Sequence, residues 1–204
     1  MITTILFDLD GTLVDSVAWH EEALNLALED VSGFRIKDWE NRELFSGKLT
    51  KDKLAILTAQ GRLDIDDRSV IVHKKQEHLH RILQNNKGVS SDKEELFSKI
   101  KHLNLACVTN SNRKAAEEVL TAIGLYSYFS FIITGDEIRH PKPSAEGYVL
   151  AMLRFSSSPS KTLIVEDSPL GLQAARSTGS YVWAVKNPEE VTWNNFQKIL
   201  MELQ

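Results

Sequence analysis

Ile2-Thr3-Thr4-Ile5-Leu6-Phe7-Asp8-Leu9-Asp10-Gly11-Thr12 follows the initial Met1, and its two halves read differently. Residues 2–7 are apolar and partly β-branched, the composition and length of a strand buried on both faces. An acid pair follows at once, Asp8 and Asp10, and Gly11 lets the chain turn tightly enough for both carboxylates to face one pocket. Carboxylates held that close repel each other, so the pattern favours a bound divalent cation. Taken alone, Asp-x-Asp-Gly is no more than an acidic turn capping the next helix. The rest of the chain decides between the two.

Comparable apolar runs recur at residues 103–108, 129–134 and 163–165, with a fifth candidate at 181–185. Helical periodicity lies between them. Residues 113–123 place Ala116, Val119, Leu120 and Ile123 on one face, with Ser111 and Asn112 as cap candidates and Gly124 as the stop. Residues 145–153 and 170–177 repeat the pattern, although Gly147 is unusual inside a helix. Strands alternating with helices of this length predict an α/β fold, a doubly wound parallel sheet whose ligand site lies beyond the carboxyl ends of the strands. Polar residues do follow the first four runs: Asp8 to Thr12, Thr109 to Asn112, Gly135-Asp136, and Glu166 to Ser168. Between Asp15 and Gly88 the alternation breaks, with helical patterns at 19–28 and 70–83 and no clear strand. We therefore expect a small all-helical cap, residues 16–88, inserted after the first strand of a core made from 1–15 and 89–204.

A chain of 204 residues is long enough for one such core plus an insert. Its 42% hydrophobic and 25% charged content argues against disorder. A formal charge of -4 leaves no basic field to hold a nucleic-acid backbone, so no nucleic-acid partner is expected. The single cysteine, Cys107, excludes a disulfide within the chain and reads as a buried core thiol. No basic segment precedes the apolar start and no apolar run has spanning length, so no membrane partner is expected and a cytoplasmic location is. A monomer is expected, with a dimer as the alternative.

Asp8, Asp10, Thr109, Lys142, Glu166 and Asp167 all fall after predicted strands or on the loop beyond one. Lys142 stands between Pro141 and Pro143, which stiffen its loop. Magnesium prefers oxygen ligands, often one or two carboxylates with waters and substrate phosphate, and Asp8 with Asp167 could supply that shell. His73, His78 and His80 show no paired ligand spacing and read as solvated; Trp39, Trp183 and Trp193 read as packing residues.

In motif order and spacing the chain resembles the haloacid dehalogenase-like superfamily of phosphatases and mutases, from Ile2 to about Val185. The first motif resembles Asp8-Leu9-Asp10-Gly11-Thr12-Leu13-Val14-Asp15-Ser16, and the second Val108-Thr109-Asn110. The third resembles Pro141-Lys142-Pro143-Ser144-Ala145-Glu146-Gly147-Tyr148, and the fourth Val165-Glu166-Asp167-Ser168-Pro169-Leu170-Gly171. The resemblance implies a Rossmann-like core with a helical cap. It implies that Asp8 is a nucleophile forming an aspartyl-phosphate and Asp10 a general acid and base. Thr109 and the Asn110 amide would hold the phosphoryl oxygens, and Lys142 would offset charge on Asp8 and the phosphoryl group. Mg²⁺ would be bound by Asp8, by Asp167, by Glu166 directly or through water, and through the Asp10 backbone carbonyl. His20 matches a spacing of the sugar-phosphate mutase branch, and Gly47, Lys48 and Lys51 lie where the family's cap carries a substrate-specificity loop.

The expected activity is Mg²⁺-dependent hydrolysis of small phosphorylated metabolites, with a small phosphate ester as the partner. A β-phosphoglucomutase-like sugar-phosphate mutase is the alternative within the family. From other classes come a phosphoaccepting receiver and a non-catalytic phospho-ligand binding module. A receiver takes phosphate on a central strand's aspartate, whereas Asp8 ends the first. Asp10 argues against a dehalogenase or a phosphonate-cleaving relative, in which the second acid would be missing or replaced.

Overall fold

In the computed structural model, which describes residues 1–45, 48–88 and 90–203, Thr4–Phe7 form the first strand, β1, with every residue buried. A helical segment follows: α1 Val17–Ser32, the short α2 Asp38–Glu40 running into a π-helical turn Asn41–Phe45, α3 Thr50–Ala59, and α4 Asp67–Gln84. After it come α5 Ser91–Ile100, β2 Asn104–Val108, α6 Arg113–Ala122, β3 Phe131–Ile133 and α7 Glu146–Arg154. The chain ends with β4 Thr162–Glu166, α8 Pro169–Ser177, β5 Tyr181–Ala184 and α9 Trp193–Glu202. Two compact units result, one of Met1–Asp15 with Lys87–Gln204 and one of Ser16–Asn86.

The first unit is a five-stranded sheet in the order β3-β2-β1-β4-β5. Every pairing is parallel, Phe7 standing opposite Cys107 on one side and Val165 on the other. The chain builds outward from β1 through β2 to β3, then returns across β1 to lay down β4 and β5. This is the doubly wound α/β arrangement, and the order reverses at β1, where such sheets hold their ligands. Glu166, read from the sequence as the first residue past a strand, is instead the last residue of β4, paired with Ala184.

Alternation along β1 assigns the two faces of the sheet. Leu6 packs with Ala106, Val108, Ile133 and Ile164 against Tyr148, Ala151 and Met152 of α7 and Ala174 and Ala175 of α8. Phe7 points the other way, its ring 5.1 Å from Phe97 of α5. Phe97 in turn meets Tyr128 at 5.4 Å and Phe129 at 5.5 Å. Gly147, odd by helix propensity, is explained by packing. A Cβ there would approach Val108 Cγ1 to 2.9 Å and push α7 off the sheet. Cys107 is fully buried, as its apolar surroundings predicted.

The second unit packs α1 and α4 around Leu24, Ala27, Leu28, Ile36, Phe45, Leu54, Leu57, Leu63 and Ile71. Two sequence readings change here. His78 is buried rather than solvated, because α4 lays it against α1, where its Nε2 lies 3.0 Å from Asp30 Oδ2. Trp39 is 48% exposed and so is not a core residue, whereas Trp183 is buried. Among the described residues no helix is long and apolar enough to cross a membrane.

Phe97 sits at the centre of the aromatic cluster and is wholly buried. Phe97→Ala is expected to cost about 3–5 kcal/mol, read as a fall in the urea midpoint with the slope unchanged.

Candidate active site

Asp8 is the first residue after β1. Its backbone N–H donates to Val165 O at 3.0 Å, which extends the β1–β4 ladder one residue beyond the strand. The next residues fold back sharply: Gly11 N–H donates to Val14 O at 2.8 Å and Leu13 N–H to Leu9 O at 2.9 Å. Gly11 has φ +92, a conformation that disfavours any side chain, and a Cβ there would fall 2.3 Å from Asp167 Oδ2. Glycine is thus required twice, for the turn and for the close approach of the fourth motif. The hydroxyl of buried Thr12 ties the same two segments by donating to Asp167 Oδ1 at 2.8 Å.

Lys142 reaches into this region from the loop after β3, although it is only 8% exposed. Its Nζ donates to Asp8 Oδ1 and to Glu166 Oε1, the latter at 2.6 Å. The loop is held by the Asn110 side chain, whose Oδ1 accepts Lys142 N–H at 2.9 Å and whose Nδ2 donates to Lys142 O at 3.1 Å. The Asn110 amide group thereby pairs with the Lys142 backbone as a neighbouring strand would. Thr109 is the first residue after β2, its N–H donating to Ile133 O at 3.0 Å. Its hydroxyl lies 3.4 Å from Asp10 Oδ2 and accepts Ser111 N–H at 3.0 Å. Ser111 Oγ donates to the same Asp10 oxygen at 2.7 Å.

Asp8, Glu166 and Asp167 each offer a carboxylate oxygen, all within 4.8 Å of one another. The Asp10 carboxylate is not part of that group, being turned toward Ser111 and Thr109. Burial pushes the Asp8 carboxyl well above the usual carboxylate range; Lys142 opposes this, and the charges of Glu166, Asp10 and Asp167 add to it. Burial likewise raises Asp167. For Lys142 burial acts to lower the ammonium, but Asp8, Tyr148 and Glu166 outweigh it and hold the group charged well above its ordinary range. One ammonium is thus paired with Asp8 and Glu166 in a poorly hydrated place, where Asp10 and Asp167 add negative charge around Asp8. A hard divalent cation fits this donor set, since its ligands are all oxygens and its charge offsets the repulsion.

A family model described as haloacid dehalogenase-like hydrolase matches residues 5–185. The chain belongs to this family. Among curated relatives of this haloacid dehalogenase-like hydrolase, a phosphorylated carbohydrates phosphatase of Thermotoga maritima is 32% identical over 86% of the chain and 81% of the relative. A fructose-1-phosphate phosphatase of Escherichia coli is 26% identical over 86% of the chain and 92% of the relative. Among solved structures, CbbY from Rhodobacter sphaeroides in complex with phosphate superposes with a TM-score of 0.79 at 26% identity, covering 89% of this chain and 85% of that one.

Of the residues singled out in the sequence, the hydrolase brings Asp8, Asp10, Thr109, Asn110, Lys142, Glu166 and Asp167 together at the carboxyl edge of its sheet. His20 lies on α1, Lys51 on α3 and Lys48 just before α3, all three in the helical unit. Gly47 lies outside the described residues. Ser111 was read only as a helix-cap candidate, and Thr12 and Tyr148 only as members of the first and third motifs. Ser111 reaches Asp10 because the chain bends at Asn110 and Ser111, a local turn that strand alternation does not foretell.

The Gly11 position gives a direct test. Gly11→Ala is expected to displace Asp167 and lower turnover by about 10²-fold while the circular dichroism spectrum stays that of the parent; unchanged turnover would show that this approach does not matter.

Proposed function

We propose that the protein is a Mg²⁺-dependent phosphatase acting on small phosphorylated metabolites through an aspartyl-phosphate on Asp8. The family membership and the named phosphatase relatives support a phosphoric monoester hydrolase. The observation that carries the mechanism is the buried Lys142 ammonium seated on Asp8 inside the group of Asp8, Glu166 and Asp167. A carboxylate kept next to a fixed ammonium, at the end of a strand and away from bulk water, is a nucleophile with a cation beside the charge it must displace.

In the first step an Asp8 oxygen bonds to phosphorus and the bond from phosphorus to the ester oxygen breaks. Asp10, protonated at the outset, gives its proton to that departing oxygen, so the leaving group departs as a neutral alcohol. Ser111 and Thr109 hold the Asp10 carboxyl during this exchange. In the second step Asp10 takes a proton from water as the water oxygen bonds to phosphorus, the Asp8–phosphorus bond breaks, and inorganic phosphate leaves. Thr109 and the Asn110 backbone amide hold phosphoryl oxygens, and Lys142 offsets their charge in both steps. Asp8, Asp167 and the Asp10 backbone carbonyl would hold Mg²⁺, with Glu166 beside them. When bound, the cation neutralises phosphate charge that the surrounding carboxylates would otherwise repel.

Carbohydrate phosphates are the first substrates to try, because the relatives named above are phosphatases of phosphorylated carbohydrates and of fructose 1-phosphate. Phosphate release from a panel of sugar phosphates is expected to require Mg²⁺ and to stop in chelator. Isomerised sugar phosphate with little free phosphate would instead indicate a mutase. Asp8→Asn is expected to abolish turnover, and trapped phosphate is expected on Asp8 alone; label on another residue would overturn the nucleophile assignment. Asp10→Asn is expected to lower kcat by roughly 10²–10⁴-fold with the Mg²⁺ dissociation constant little changed, and full activity on a poor leaving group would make Asp10 structural.

A further inference from the structure

Glu166 is fully buried, and both its oxygens are engaged. Oε2 accepts the N–H groups of Asp167 at 2.8 Å and Ser168 at 3.0 Å, and the Ser168 hydroxyl at 3.2 Å. Oε1 accepts Lys142 Nζ at 2.6 Å and the Tyr148 hydroxyl at 3.0 Å. The remaining side is closed by α8, where a Cβ on Gly171 would fall 1.7 Å from Oε1. A carboxylate so enclosed has little lone-pair capacity left, in contrast to Asp8 and Asp167.

Tyr148, wholly buried, touches this assembly twice. Its hydroxyl shares Glu166 Oε1 with Lys142, and its ring face lies 4.8 Å from Lys142 Nζ. We propose that Tyr148 is a positioning residue for the phosphoryl-transfer chemistry: with Glu166 as its anchor, it holds the Lys142 ammonium at Asp8, and Glu166 serves that anchor rather than the cation. The inference rests on the phosphatase reading above.

The physical reason lies in competition for one ammonium. Without the Tyr148 O–H, Glu166 Oε1 loses a donor and draws Lys142 more strongly to itself, away from Asp8 and the phosphoryl oxygens. The ring acts in the same direction at another moment. When Asp8 becomes an acyl phosphate it loses its own negative charge, and the ring's π-face keeps a favourable surface under the ammonium. Tyrosine supplies both contacts from one rigid side chain at a position where α7 is packed on the sheet. Phenylalanine would supply only the ring and leucine neither.

The test compares Tyr148→Phe, Tyr148→Leu and Gly171→Ala with the parent, each checked for its fold by circular dichroism. Gly171→Ala disturbs the same anchor from the opposite wall, while alanine is the better helix former. With p-nitrophenyl phosphate and Mg²⁺, kcat is expected to fall about tenfold for Tyr148→Phe and about 10²-fold for Tyr148→Leu and Gly171→Ala, with KM within about threefold of the parent. Mg²⁺ binding measured by calorimetry is expected to stay within about threefold in Tyr148→Phe, whereas Asp167→Asn loses it. Independently of any activity, the buried Lys142 ammonium is expected to give a slowly exchanging ¹H–¹⁵N resonance, assigned by its loss in Lys142→Arg. That resonance is expected to shift or broaden in Tyr148→Phe.

A resonance and turnover unchanged in Tyr148→Phe would overturn the proposal, because the hydroxyl would then be packing alone. Loss of Mg²⁺ affinity in step with kcat would also overturn it, by showing that the effect runs through the cation. Should the parent fail to release phosphate from any ester, the phosphatase reading fails, and the resonance still decides whether Tyr148 positions Lys142.

Discussion

The Lys142 ammonium is a full charge placed where there is little water, and the surrounding structure is arranged around that fact. A buried charge is tolerable only if it is paired and hydrogen-bonded. Lys142 is paired twice, with Asp8 and Glu166, and the ring of Tyr148 covers another side. Each partner comes from a different part of the chain: Asp8 from the end of β1, Glu166 from β4, and Tyr148 from α7. Bringing one ammonium to three such positions requires the sheet order with β1 beside β4 and α7 laid over them. The ion pairs are weak evidence for stability, since desolvation consumes much of their gain. Their value is in fixing the geometry of the Asp8 carboxylate and the charge beside it.

Around that pair the backbone is shaped by close approach. Gly11 leaves room for Asp167, Gly171 for Glu166, and Gly147 for Val108. Each absent side chain lets a charged or packed group come nearer than a Cβ would permit. Asn110 does a related service with its amide, pairing with both backbone polar groups of Lys142 and so fixing a loop that has no strand of its own there. These contacts explain how the same two or three motif residues can be held so closely by segments far apart in the chain.

Strand positions, the parallel sheet and the helical insert were legible because they rest on local chemistry: apolar β-branched runs, 3.6-residue periodicity, and glycine stops. The acid residues after β1 and β4, and the lysine between two prolines, were legible for the same reason, as charged groups at strand ends that water alone does not explain. What the sequence could not supply was which atom faces which. Glu166 and Asp167 are adjacent and chemically alike, yet one belongs to β4 and is enclosed by donors while the other faces the Asp8 turn; that difference comes from which distant segments, the Lys142 loop and α7 on one side and the Gly11 turn on the other, are packed around the end of β4. Tyr148 reads as an ordinary core residue of α7, in helical spacing with Ala151 and Met152, and only the folded sheet puts its hydroxyl on Glu166. Periodicity reports which face of a helix is buried, and partners across the core are set by the packing of elements distant in sequence, so the sequence determined the strands, helices and candidate charges while the tertiary structure decided their pairing.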